Sequence, residues 1–203
     1  MKITPRTIVH ATLIAALLCY LHGCGYSTPH PTDNDLRARF LHSRAKFDEL
    51  AILFQSNPQI LAIGRRGGAV LDGAHERRIR AEREWDYTEE PVRHMATILR
   101  DLHIDWGFQH CNNTPNQWML FVNCNGLHPS TTCKGYIFSI DPPRPQLASL
   151  DGGRPSSLDR YDRAYVALEG NWLLLYEVWP GSAGRCLPGI ILATPNHESQ
   201  GST

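Results

Sequence analysis

The sequence lacks an excess of charge of either sign. Its 20 lysines and arginines are matched by 20 aspartates and glutamates, so the formal net charge is zero. Proteins that bind nucleic acid through its phosphates normally carry a basic excess, because each phosphate contact releases counterions. The charge balance therefore argues against a nucleic-acid partner.

Long apolar runs are also missing, and the nearest approach to one lies close to the amino terminus. Residues 11–21 (ATLIAALLCYL) form a largely apolar run of 11 residues. A membrane-spanning helix needs roughly 20 such residues to cross about 30 Å of hydrocarbon. Lys2 and Arg6 precede the run, and a positive start before a short apolar segment is typical of a secretory signal peptide. We therefore expect export.

The residues after this run, Leu21-His22-Gly23-Cys24, resemble the lipobox of bacterial lipoproteins. The resemblance implies that a signal peptidase cuts before Cys24 and that the Cys24 thiol carries diacylglycerol, whose two acyl chains suffice for stable anchoring. Gly25 stands where an aspartate would imply retention in the inner membrane, so the resemblance favours the outer membrane and a periplasmic domain. The alternative is cleavage elsewhere, which would release a soluble secreted protein.

The predicted export and lipidation divide the chain into three parts. Residues 1–23 are the expected signal peptide, residues 24–34 the lipidated cysteine with a tether, and residues 35–203 a single domain with an irregular carboxy-terminal tail. Pro29 and Pro31 lie among small polar residues, a composition typical of a linker. Membrane lipid, reached through Cys24, is one expected partner, and an envelope protein or a cell-wall component is another.

The spacing of apolar residues predicts two main helices. Residues 35–56 carry a helical stripe of phenylalanine and leucine, and Asn57-Pro58 ends it. Residues 89–103 repeat the pattern with Val92, Met95 and Leu99. Between them, residues 74–86 alternate arginine with glutamate, which predicts a solvated, self-paired helix face.

Strand patterns follow the second helix. Five segments rich in aromatic and branched residues predict strands at 104–110, 118–124, 135–140, 163–168 and 172–179, and residues 59–73 give a weaker strand–turn–strand pattern. Gly170-Asn171 predicts a tight turn that places Tyr165 opposite Tyr176. The expected fold class is α+β, with two main helices packed on one antiparallel sheet of about five strands.

Four segments near the carboxy terminus resemble a pattern found in bacterial envelope proteins of unassigned activity. They are residues 134–139 (KGYIFS), Pro142-Pro143, residues 149–151 (SLD) and residues 170–177 (GNWLLLYE). The resemblance covers roughly the carboxy-terminal third, and it implies a shared domain rather than a reaction.

The expected export and lipidation decide which cysteines remain available in the mature protein. Cys19 leaves with the signal peptide and Cys24 is lipidated, so four cysteines remain: Cys111, Cys124, Cys133 and Cys186. An even number in an oxidising compartment predicts two disulfides among three pairings. A hairpin of the strands around residues 118–124 and 133–140 would put Cys124 opposite Cys133, which leaves Cys111 to pair with Cys186. Free thiols are the alternative.

A zinc site is a further reading of the same cysteines. His110 adjoins Cys111, and His128 lies between Cys124 and Cys133. The spacing lacks the close cysteine pair of structural zinc sites, so we expect neither a metal nor another cofactor.

Catalytic motifs are scarce. The chain contains neither Gly-x-Ser-x-Gly nor His-Glu-x-x-His. The favoured function is a non-enzymatic binding domain, with a periplasmic hydrolase or thiol enzyme using Cys111 or Cys124, or a zinc-stabilised module, as alternatives. Arg160 and Tyr161 lie in a long connection after residue 140 and are the candidate partner-binding loop. The tryptophans are expected in the core, and an exposed one would mark a binding face.

Overall fold

The computed structural model describes residues 29–73, 75–110, 116–125, 131–151 and 163–179. These ranges contain three helices, α1 (Asp33–His42), α2 (Arg44–Ser56) and α3 (Val92–Asp101). They also contain eight strands: β1 (Ile60–Ile63), β2 (Gly67–Asp72), β3 (His75–Arg80), β4 (Gly107–His110), β5 (Gln117–Asn125), β6 (Thr131–Ser139), β7 (Arg163–Ala167) and β8 (Trp172–Trp179). None of these helices is long and apolar enough to cross a membrane.

The expected fold, two main helices on a sheet of about five strands, is wrong in both numbers. All eight strands join one sheet in the order β3-β2-β1-β4-β5-β6-β8-β7, and each neighbouring pair is antiparallel. Strand β3 falls where the charge pattern predicts a helix. It pairs along its whole length with β2, and only Ile79 is buried among its charged side chains. A charged strand of this kind protects a sheet edge from further pairing.

The described ranges contain one helix more than expected because residues 35–56, predicted to form a single helix, are divided between α1 and α2. Helix α1 begins at Asp33, where Thr32 and Asp35 form a reciprocal capping box. The backbone leaves helical geometry at Ser43, and α2 starts at the next residue. The predicted stripe nevertheless packs into the core on both helices: Leu36, Phe40, Phe47, Leu50 and Phe54.

The sheet has two apolar faces. On the helix face, side chains from β4 to β8 share one cluster with the helices, and Phe47 meets the rings of Tyr136 and Trp172 at centroid distances of 4.8 and 5.1 Å. The far face carries a separate buried cluster that includes no residue of the three helices: Met119, Phe121, Cys133, Ile137, Tyr165, Leu173 and Leu175. Strands buried on both sides read as near-continuous apolar runs, as β5 and β8 do.

The register of the last hairpin is one residue away from the predicted one. Tyr165 pairs with Leu175, and Ala164 pairs with Tyr176. Because a shift of one residue moves a side chain to the other face, Tyr165 lies on the far face and Tyr176 on the helix face. The two tyrosines are therefore not partners.

Candidate functional site

Lys134 is a charged residue buried inside the fold, with only 1% of its surface exposed. It lies on β6 between β5 and β8. Its Nζ lies 2.8 Å from Asp33 Oδ1 and 2.7 Å from Asp151 Oδ1. Asp33 opens α1, so this ion cluster joins the start of the first helix to the sheet.

Hydrogen bonds satisfy the rest of the Asp33 carboxylate. Its Oδ2 accepts from the Ser149 hydroxyl at 2.8 Å and from the Leu150 amide at 2.6 Å, while its own amide donates to Asp151 Oδ1 at 2.7 Å. Burial alone would raise the pKa of Asp33. The hydrogen bonds from Lys134, Leu150 and Ser149 outweigh that effect and hold the pKa of Asp33 below its ordinary value.

His30 extends the cluster toward the amino terminus. Its Nε2 lies 2.8 Å from Thr132 Oγ1, and its ring meets the Tyr176 ring edge-on at 5.6 Å. Burial and the nearby charge of Lys134 lower the pKa of His30. We call the set His30, Asp33, Lys134, Ser149 and Asp151 the anchor clamp.

Sequence reasoning did not identify the anchor clamp as a unit. Lys134 and residues 149–151 belong to the segments that resemble envelope proteins, and the fold brings these segments together at Asp33. The resemblance was therefore the one sequence signal that pointed to these positions.

The clamp contains residue types used in catalysis, but their contacts are structural. Two carboxylates hold the Lys134 ammonium, and the Ser149 hydroxyl donates to Asp33. His30 bonds Thr132 rather than Ser149. A nucleophilic serine needs a base within hydrogen-bonding reach that is free to take its proton, and here the acceptor carboxylate is already occupied. Within the described ranges, no group of three or more His, Cys, Asp or Glu side chains is arranged to hold a metal ion.

Cys124 and Cys133 lie at disulfide distance, with Sγ atoms 2.09 Å apart, and they are direct partners across β5 and β6 as the strand register predicts. The pair adjoins the far-face cluster. Other predicted site residues lie outside the described residues: Cys24, Cys111, Cys186, Arg160 and Tyr161.

An open cleft of about 480 Å³ lies where α1, α2 and the end of α3 meet. Ser43 and Lys46 both line it, and they have the Ser-x-x-Lys spacing of some hydrolases. Lys46 Nζ, however, lies 2.7 Å from Asp101 Oδ2 in an exposed ion pair. The amine that would have to activate Ser43 is therefore directed to a carboxylate.

Trp106 departs from the expectation that tryptophans build the core. It is 43% exposed, whereas Trp118 and Trp172 are each 2% exposed. Its amide donates to the Phe121 carbonyl, one residue before β4 begins. The rule that an exposed tryptophan marks a binding face makes Trp106 a candidate contact residue.

In the part of the chain that the structure describes, the fold thus defines a class of architecture: an eight-stranded antiparallel sheet, three helices on one face, and a buried ionic clamp at the start of α1. Comparison with known proteins adds no narrower identity, because no protein-family profile, curated protein or solved structure matches the chain.

Proposed function

We propose that this chain is a lipid-anchored protein of the bacterial cell envelope. It is held in the outer membrane through Cys24, faces the periplasm, and binds another envelope component without catalysing a reaction. The signal-like segment and the lipobox resemblance are the sequence basis. The structural observation that carries the proposal is the Cys124–Cys133 pair, because disulfides persist in oxidising compartments and are rare in the cytosol.

The same pair weighs against two alternatives. A bonded Cys124 has no thiolate with which to attack a substrate, so a thiol enzyme would depend on Cys111. A zinc-stabilised module would need Cys124 and Cys133 as thiolate ligands, which the bond removes. Counting thiols on denatured, unreduced protein should find none free, and one reactive thiol would favour the enzyme.

Mass spectrometry of the protein extracted from membranes tests the anchor. We expect a mature chain that begins at Cys24 and carries added acyl mass. Cys24→Ser should remove the protein from the membrane fraction, whereas Cys19→Ser is a matched control in the discarded segment and should not. An intact Met1, or a mature chain whose Cys24 carries no lipid, contradicts the proposal.

Crosslinking in intact cells tests the binding role. We expect a specific crosslinked partner whose yield falls when Arg160 and Tyr161 are both replaced by alanine. Arg83→Ala, at an exposed position before α3, is the control and should keep the yield. An equal loss in both variants, or no partner at all, argues against a binding surface in that loop.

A further inference from the structure

We infer that one end of the sheet faces the lipid surface and that Trp106 contacts the lipid headgroups there. We call this end, where β5 ends at Asn125 and β6 begins at Thr131, the anchor end. The inference rests on the proposed lipidation of Cys24, and it adds an orientation and a contact surface that lipidation alone does not supply.

The chain between Cys24 and the fold is short. Only residues 25–29 separate Cys24 from His30, and His30 is bonded to Thr132 on β6. A fully extended chain spans at most 3.3–3.6 Å per residue, so Cys24 and His30 lie within about 20 Å of each other. The lipid-bearing residue therefore cannot be far from the anchor end.

Buried polar contacts attach this short segment firmly to the sheet. Behind His30, Asp33 is tied to Lys134, Asp151, Ser149 and the Leu150 amide, and both Asp33 and Lys134 are buried. Breaking a buried ion pair leaves an unpaired charge in the interior, which is strongly unfavourable. The clamp therefore keeps the free tether short.

The strands of the sheet are longer than the free tether. Thr132 pairs with Asn125 and Val178, at the anchor end of β5 and β8. Nine-residue strands such as β5 run roughly 30 Å to the opposite end. Because the free tether is shorter than the sheet, the anchor end is held at the bilayer while the Gly170-Asn171 turn lies farther out.

Trp106 lies beside the middle of β5, one residue toward the anchor end. It precedes Gly107, which pairs with Phe121 on β5, and the four further residues from Phe121 to Asn125 span about 13 Å. Its exposed indole combines an apolar ring with an N–H donor, the chemistry that favours tryptophan at membrane interfaces. Trp85, Trp118 and Trp172 are buried and cannot serve this role.

Energy transfer in reconstituted vesicles tests the orientation. The lipidated full-length protein is placed in phosphatidylethanolamine and phosphatidylglycerol vesicles that contain a headgroup acceptor dye. A genetically encoded fluorophore replaces Thr131 at the anchor end or Asp72 at the distant end of β2. We expect clearly stronger transfer from position 131. Equal transfer, or stronger transfer from position 72, overturns the inference.

Two controls separate this inference from the proposed function. Acyl mass on the reconstituted protein is measured first: its absence defeats both proposals, while its presence without a difference between positions defeats only the orientation. A flexible Gly/Ser insertion between Thr28 and Pro29, about twenty residues long, lengthens the tether and should reduce the difference. An unchanged difference would mean that the short tether does not cause the orientation.

Quenching by brominated lipids tests the Trp106 contact. We expect brominated lipids to quench part of the tryptophan emission of the lipidated protein and expect Trp106→Phe to lose that quenched part. If the quenched part is unchanged in Trp106→Phe, then Trp106 does not contact lipid.

Discussion

At the scale of single residues, Lys134 shows how one buried charge can fix the position of a helix. Taking an ammonium group out of water costs several kcal/mol, which only close partners offset. Asp33 and Asp151 meet that requirement from opposite sides in sequence, one at the start of α1 and one after β6. The ion cluster therefore fixes the position of the start of α1 relative to the sheet more precisely than apolar contacts alone would.

Lys134→Met should lower the free energy of unfolding by about 3–5 kcal/mol, because it leaves the Asp33 carboxylate buried without its cation. Lys46→Met is the matched control, since Lys46 forms an exposed ion pair with Asp101 and such pairs contribute about 1 kcal/mol or less. Urea unfolding of both variants gives the comparison. Similar losses in the two variants would show that burial of Lys134 carries no special weight.

Residues whose role follows from local spacing could be predicted, and residues defined by distant partners could not. The helical stripe that includes Phe40 and Phe47 is buried as its periodicity predicts. Cys124 meets Cys133 because a hairpin register decides the pairing. Lys134, by contrast, reads as an ordinary polar residue on a strand, since its partner Asp33 lies about a hundred residues earlier and gives no local signal.

At the scale of elements, seven of the eight described strands fall where a strand was predicted, including β1 and β2 in the weaker strand–turn–strand pattern over residues 59–73, and only β3 does not. Helix α3 and strands β4, β7 and β8 lie within their predicted segments, whereas β5 exceeds its segment by one residue at each end and β6 begins four residues earlier, at Thr131. Strand β3 was missed because its sequence, HERRIR, has a single buried side chain and so no visible alternation. Residues 75–80 form a strand because they pair with β2, and not because of their own sequence. A local sequence pattern does not contain information about such tertiary pairing.

Gly135→Ala tests the close approach of β5 and β6. A Cβ at position 135 would lie 1.9 Å from the Leu120 carbonyl oxygen, which is backbone and cannot move aside alone. We expect a loss of about 3 kcal/mol or more in unfolding free energy. Gly73→Ala is the control, because it has φ +61° with open space around the added atom and should cost only about 1–2 kcal/mol. Calorimetry on both variants measures the two losses of unfolding free energy. A loss for Gly135→Ala no larger than that for Gly73→Ala would contradict the close approach of β5 and β6.

At the scale of the whole molecule, the buried His110 and the half-buried His30 link stability to pH. Burial lowers the pKa of both His30 and His110, and His110 stacks on Trp118 with ring centroids 4.9 Å apart. Below the unfolded value of about 6.5, the unfolded chain binds more protons than the folded one, so stability falls as the pH falls. The lowered pKa of Asp33 adds a second loss below about pH 4.

We therefore expect the unfolding free energy to decrease between pH 7 and pH 5. His110→Phe, which keeps an aromatic ring against Trp118, should make that decrease smaller. His75→Gln, at the exposed start of β3, should leave it as it is. Denaturant titrations at a series of pH values measure how steeply the unfolding free energy depends on pH. If His110→Phe leaves this slope unchanged, then His110 does not contribute to the pH dependence.

The contacts of His30 and Asp33 also set an order of assembly. Their partners Thr132 and Asp151 lie 102 and 118 residues later in the chain. Because synthesis proceeds from the amino terminus, the ten-residue α1 emerges long before those partners do, and a helix that short is marginal alone. Helix α1 is therefore synthesised before most of the sheet and is among the last elements to reach its final place.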